Sequence, residues 1–256
     1  MSTALITGAT SGIGAEFAAQ LAARGDDLVL VARNAERLER TAQHLRDTHG
    51  VQVEVLVADL NDRSQTLKVA ARLEDADRPI DRVVNNAGFG MHGRLLDEDL
   101  MAETDLAIEV MLASVILLGG AAARAMKARG HGSIINVSST AGFIQLGTYS
   151  AVKAAVTAYS ESLAVELRGS GVTVTALCPG WVRTEFHERA GINTSKIPAA
   201  AWIEVTRLVR DGLADADRGK VLSIPTPLWK VAIALTRILP RSVLRAVSGK
   251  IRSGRR

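Results

Sequence analysis

The sequence predicts a single α/β domain built on a doubly wound parallel sheet, and three observations carry that expectation. Short β-branched apolar runs alternate with longer helical patterns along most of the chain. The runs are nearly continuous, as in Leu28-Val29-Leu30-Val31-Ala32, which suits strands covered on both faces. With 256 residues, 47% of them apolar but only 4% aromatic, the chain can bury one sizeable core of Ala, Val, Leu and Ile.

In chain order, strands are expected at Thr3–Ile6, Leu28–Ala32, Val51–Ala58, Arg82–Asn85, Ser133–Val137, Thr173–Cys178 and Val221–Ile224. Helical patterns fall between them, near Gly14–Arg24, Ala35–Thr48, Ser64–Asp75, Asp97–Arg129, Ser150–Arg168 and Ala199–Leu213. This βαβ succession puts a ligand crevice at the carboxyl ends of the strands. Repeats, low-complexity tracts and long linkers are absent from the sequence, so residues 1–225 read as one domain. Residues 226–256 depart from the alternation and read as a basic, amphipathic helical extension.

Composition excludes several classes. The one cysteine, Cys178, lies in an apolar run, which rules out a disulfide framework and a cysteine-based zinc site. The five histidines lack metal-ligand spacing, so no metal is expected. The chain enters an apolar strand almost at once, without a signal peptide. No uncharged apolar run reaches the roughly 18 residues of a transmembrane helix. A cytosolic protein is expected. The net charge of +4 hides an asymmetry, because eight basic residues and no acidic one lie from Lys230 onward, leaving residues 1–229 at −4. That tail carries no nucleic-acid motif, and no nucleic-acid partner is expected.

The first strand runs into Thr7-Gly8-Ala9-Thr10-Ser11-Gly12-Ile13-Gly14, ahead of an Ala-rich helix. Glycines permit a tight turn and close approach of backbone to ligand, and the helix N-terminus offers free N–H groups and a positive dipole end. A pyrophosphate fits such a turn. Its spacing is G-x3-G-x-G rather than G-x-G-x-x-G, so its place between strand and helix carries the reading.

With that loop, Asn85-Asn86-Ala87-Gly88, Asn136-Val137-Ser138-Ser139, Tyr149-x-x-x-Lys153 and Pro179-Gly180, residues 3–225 resemble the short-chain dehydrogenase/reductase family. The likeness is to the bacterial branch that includes reductases of long-chain 3-oxoacyl groups. It implies a Rossmann-like domain with a seven-stranded parallel sheet, assembled as a homodimer or homotetramer. By resemblance, Asp59 and Leu60 border the adenine, and Asn86, Ala87 and Gly88 border the adenosine ribose and phosphates. Pro179, Gly180, Val182 and Thr184 flank the nicotinamide. Where NAD-binding relatives place an acid after the second strand, this chain has Arg33, whose planar fork suits the 2′-phosphate of NADP(H). Arg37, one turn on, either adds charge there or faces water.

Tyr149 and Lys153 are four apart and share one helix face. A tyrosine is a poor acid/base at neutral pH unless a nearby cation favours the phenolate, and Lys153 supplies one. In carbonyl reduction Tyr149 would protonate the developing alkoxide while Ser139 holds the same oxygen. The resemblance favours Ser139 over Ser138, and it gives Lys153 a second task on the nicotinamide ribose. The Thr140–Thr148 loop must be tight, with Gly142 and Gly147 allowing it. One departure stands out: family members carry an asparagine in the long helix, completing a water-linked relay to the lysine, and Met111 aligns there. Either the main-chain carbonyl of Met111 holds the relay alone, or activity is reduced.

Phe89-Gly90-Met91-His92-Gly93 and a substrate loop at about 185–202, with Phe186, Ile192, Ile197 and Trp202, predict an apolar pocket. An NADP(H)-dependent oxidoreductase of an apolar carbonyl, a 3-oxoacyl lipid first, is the resulting expectation. A catalytically weak NADP(H)-binding sensor or scaffold is the alternative. In the tail, Trp229, Ile233, Leu235, Leu239, Leu244 and Val247 either meet an anionic membrane peripherally or pack on the domain or a second subunit.

Overall fold

The structure is a computed structural model describing residues 2–91, 95–98, 100–184 and 198–253. The strands are β1 (Thr3–Thr7), β2 (Asp27–Ala32), β3 (Val53–Val57), β4 (Arg82–Asn85) and β5 (Gly132–Val137). They continue with β6 (Val172–Leu177), β7 (Trp181–Arg183), β8 (Trp202–Glu204) and β9 (Leu222–Ser223). Seven of them form one sheet in the order β3-β2-β1-β4-β5-β6-β9, with every neighbouring pair parallel. The chain therefore forms the Rossmann-like sheet that the sequence predicts.

Alternation along each strand divides the core between two faces. Ala4, Ile6, Leu28 and Leu30 pack with Phe17 and Leu21 of α1 (Gly12–Ala23), Leu38 of α2 (Ala35–His49) and residues 208–213. Leu5, Val29 and Val31 face the other way, onto Val69 and Leu73 of α3 (Arg63–Leu73). Leu118 and Met126 join that second layer. Both faces are apolar because both are covered, which explains the unbroken runs in the sequence.

The expected helix at 97–129 is made of α4 (Leu100–Ile108), a π-turn at Glu109–Ala113 and α5 (Ser114–Arg129). Ser114 Oγ donates to the Val110 carbonyl at 2.7 Å inside this irregular stretch. Among the described residues, Leu100–Arg129 is long and apolar enough to cross a membrane, but half of its most apolar window is buried in the fold. The helix is a core helix packed on the sheet and α3.

Three features differ from the expected elements. Ala199–Leu213 is not all helix: Ala199–Ala201 is a 3-10 turn, Trp202–Glu204 is β8, and α7 spans Val205–Asp217. β8 pairs in parallel with β7, a two-stranded sheet that the sequence did not announce. The last strand of the main sheet shrinks to two residues. A 3-10 turn at Thr140–Phe143 leads to α6 (Thr148–Glu166) and takes up the tight loop. Beyond it, α8 (Pro227–Ile238) and α9 (Arg241–Ser253) turn Trp229, Ile233, Leu244 and Ser248 onto the domain.

Candidate active site

β1 ends between β2 and β4, where successive connections leave for opposite sides of the sheet and open a crevice. The loop after it is clamped from the strand next door. Thr7 Oγ1 accepts from the Asn86 and Ala87 N–H groups at 2.9 and 3.0 Å. The Asn86 side-chain amide donates to the Thr7 and Gly8 carbonyls at 3.0 and 3.3 Å. Gly8 and Gly12 adopt φ of +67° and +53°, where a Cβ is strained. A Cβ on Gly14 would run into the Gly8 carbonyl and the Asn86 amide. Gly8 and Gly12 are demanded by their backbone conformation, and Gly14 by the Gly8 carbonyl packed against it.

The helix that follows differs from its neighbours. Asn34 caps α2 by accepting from Arg37 N, and Asp62 caps α3 by accepting from Ser64 N at 2.8 Å. Hydrogen bonds from the Ser64 hydroxyl and the Gln65 side-chain amide, with the Ser64 N–H behind them, hold the Asp62 carboxyl down to about 2. Ser11 stands at the N-cap of α1 in extended conformation, and its side chain does not cap the helix. The N-terminal turn of α1 thus suits an external anion, the chemistry of a dinucleotide's pyrophosphate.

Thr184 borders Gly12, with its Cβ 3.5 Å from where a glycine Cβ would stand. Arg37 faces the loop, donating from Nη2 to the Thr10 carbonyl at 3.1 Å. Arg33 is exposed at the end of β2. One Asp59 carboxylate oxygen accepts from Asn61 N at 3.0 Å, and Leu60 is buried beside it. Ile13 packs against the core, and Val182 is buried within it. Pro179 accepts from Thr140 N at 2.9 Å through its carbonyl.

Tyr149 lies one residue inside α6, near Ser139 two residues past the end of β5. Burial pushes the phenol up to about 12, against the lowering effect of the Ser139 side chain. One turn on, Lys153 Nζ stands 5.8 Å from the Tyr149 ring centroid and donates to the Val137 carbonyl at 2.9 Å. Burial drives its ammonium down to about 8. Ser138 points the opposite way, with its Oγ donating to the Lys153 carbonyl at 2.7 Å and sharing a hydrogen bond with Thr157 Oγ1. Thus one serine meets the tyrosine while the other fastens α6 to β5. Gly142 makes this closeness possible, because a Cβ there would come within 2.9 Å of the α6 backbone.

Met111 is fully buried in the π-turn and packs with Phe89, Met91, Val152 and Tyr149. Its Sδ would stand 3.1 Å from a Cβ on Gly88. A buried amide chain was not foreseen from the sequence. Asn85 donates to Asn136 Oδ1 at 2.9 Å, and Asn136 donates to Ser160 Oγ at 2.9 Å, joining β4, β5 and α6. Nor was the closeness of the C-terminal helices to the site. The Trp229 indole fills the space a Gly180 side chain would need, and it donates to the Ala201 carbonyl at 3.1 Å. Ser248 Oγ accepts from Gln145 N at 3.1 Å, in the loop between Ser139 and Tyr149. The amphipathic spacing signalled these helices, but not which face meets the domain. Of the expected pocket residues, Phe186, Ile192, Ile197, His92 and Gly93 lie outside the described residues. Trp202 packs on Trp181 in β7, ring centroids 5.8 Å apart.

Residues 2–195 match the short chain dehydrogenase family model. The chain belongs to the short-chain dehydrogenase family. The dehydrogenase is 37% identical over 195 residues to a Streptomyces violaceoruber protein named as ketoacyl reductase 1 of the granaticin polyketide synthase, covering 73% of this chain and 70% of that one. A short-chain dehydrogenase from Sphingobium yanoikuyae, solved with NADPH, superposes with a TM-score of 0.84 at 37% identity. That match covers 93% of this chain and 94% of the other. The bulky-bulky ketone specific alcohol dehydrogenase of Comamonas testosteroni superposes with a TM-score of 0.80 at 32% identity, over 93% and 92% of the two chains. The chain is accordingly an oxidoreductase of that family.

Proposed function

We propose that this dehydrogenase uses NADP(H) to interconvert a carbonyl and a secondary alcohol on an apolar, lipid-like 3-oxoacyl substrate. The observation that carries the chemistry is Tyr149 beside Ser139 and a buried Lys153, at the mouth of the glycine loop's crevice.

NADPH supplies the hydride when bound. The uncapped turn at Ser11, with Gly8, Thr10, Gly12, Ile13 and Gly14, would hold its pyrophosphate. Asp59, Leu60 and Asn86–Gly88 would hold the adenosine, and Pro179, Gly180, Val182 and Thr184 the nicotinamide. The end of β2 lacks a carboxylate, and Arg33 is exposed there with Arg37 anchored nearby, which favours the 2′-phosphate. In reduction Ser139 orients the carbonyl oxygen and Tyr149 delivers its proton to that oxygen as charge develops. Its high pKa keeps the proton available, and the Lys153 cation stabilises the phenolate left behind.

Phe89 and Met91 beside Tyr149, with Phe143 and Trp229 packed together nearby, support an apolar substrate. The ketoacyl and bulky-ketone relatives point the same way. The test is NADPH consumption with 3-oxoacyl thioesters of increasing chain length against a sugar-acid ketone. KM is expected to fall with chain length. Tight NADPH binding without turnover of any ketone would instead make the chain a sensor.

We also propose a homodimer or homotetramer, in which exposed Met101, Ile108 and Ile116 on the long helix and Val165 on α6 are covered. Size-exclusion chromatography tests it. The protein would be cytosolic, with residues 226–256 attaching it peripherally to anionic membrane, where a lipid-like substrate partitions.

A further inference from the structure

The two C-terminal helices carry a second apolar face that the domain leaves uncovered. On α8, Leu228, Val231, Leu235 and Ile238 recur at helical spacing and are 53%, 61%, 50% and 80% exposed. They run opposite the inward-turned Trp229 and Ile233. Leu239, Val243 and Val247 extend exposed apolar surface past Pro240 and along α9. Lys230, Arg241 and Arg245 are exposed on the same helices, and no acidic residue follows Asp217 in the sequence. A soluble surface scatters apolar residues singly, so an exposed apolar stripe at helical spacing, on helices whose described charges are all positive, marks a contact surface.

The charge selects the occupant. A second copy docked through a two-fold axis would set cations against cations, with no carboxylate from either helix pair to offset them. A bilayer with anionic headgroups answers both features at once, taking the side chains into its acyl boundary and the cations at its surface. We infer that the Leu228–Ile238 stripe and the exposed valines of α9 dock on anionic membrane; of the six residues expected from the sequence, Leu235, Leu239 and Val247 share this exposed surface, while Trp229, Ile233 and Leu244 turn onto the domain. This rests on the peripheral attachment proposed above and is independent of the substrate. The opposite side of the same helices touches Gly180 and Gln145, so docking holds the crevice about one helix diameter, roughly 10–12 Å, from the lipid.

The test is co-sedimentation of the full-length protein with vesicles of phosphatidylcholine alone or mixed with phosphatidylglycerol. Binding to the mixed vesicles only, weakened by salt, is expected. Leu235→Asp with Ile238→Asp should reduce partitioning at least about tenfold. Changing Lys230, Arg241 and Arg245 to Gln should reduce it on the order of a hundredfold, at about fivefold each. Both variants should keep wild-type circular dichroism and turnover of a water-soluble ketone. Folded wild type that ignores anionic vesicles at low salt overturns the inference, as does undiminished binding by both variants. A smaller oligomer in the Leu235→Asp/Ile238→Asp variant also overturns it, making the face a subunit contact. Vesicle binding by a protein that turns over no lipid ketone would support the docking surface and remove only the substrate assignment.

Discussion

The two ends of the central sheet are built from opposite materials. At the amino ends of the strands, charges meet charges. Arg82 and Arg24 reach Asp217 at 2.8 and 3.0 Å, Arg72 meets Glu54 at 2.9 Å, and Asp81 accepts from Thr3 N at 3.0 Å. Burial works against ionisation of Asp217, yet the Arg82 hydrogen bond holds its carboxyl below the ordinary range. At the carboxyl ends, Lys153 is buried against a carbonyl instead of a carboxylate, and burial moves it and Tyr149 in opposite directions. One end spends its polar groups on stability and the other keeps them displaced from their solution pKa values, as a reacting group requires.

The sharpest way to break this contrast is Tyr149→Phe. Turnover is expected to fall about a thousandfold, while NADPH affinity by fluorescence titration stays near wild type, since only the proton donor is removed. Activity within tenfold of wild type would end the assignment. The next largest effect is on pH dependence. Tyr149, at about 12, stays protonated throughout, whereas Lys153 loses its charge as pH rises through about 8. Carbonyl reduction should therefore be level below pH 8 and decline above it, and Lys153→Met should lower the rate and erase the break. Arg33→Asp comes third, with NADPH binding about tenfold weaker and a relative shift toward NADH. A wild type that already prefers NADH would refute that role for Arg33.

At the amino end the expectation reverses. Arg82→Met leaves Asp217 with Arg24 and should lower stability by about 1–2 kcal/mol, read as a reduced urea midpoint, with kcat/KM unchanged. A loss of turnover without a loss of stability would show that the two ends are coupled.

The sheet was legible because its strands are buried on both faces, and continuous runs such as Leu28–Ala32 announce that. β7 and β8 were not, since three residues carry no period to detect. The residues that the structure gathers around the crevice, from Gly8 to Lys153, were legible as motifs with fixed spacing. The opposed directions of Ser138 and Ser139 were not, because adjacent residues look alike in sequence and diverge only when the strand end is built. The C-terminal helices failed for another reason. Each carries apolar residues on two sides, and periodicity finds an amphipathic helix without saying which side the domain takes.

The Ser248–Gln145 contact spans 103 positions of chain. A ribosome reaches Tyr149 long before it reaches Ser248, so the sheet and α6 can assemble while the loop beside the tyrosine still lacks its far anchor. Domains fold as they emerge, but a contact of such separation waits for its later partner. The timing of synthesis therefore divides the protein in two: a folded nucleotide-binding body first, and a finished reaction chamber only once Ser248 has been made.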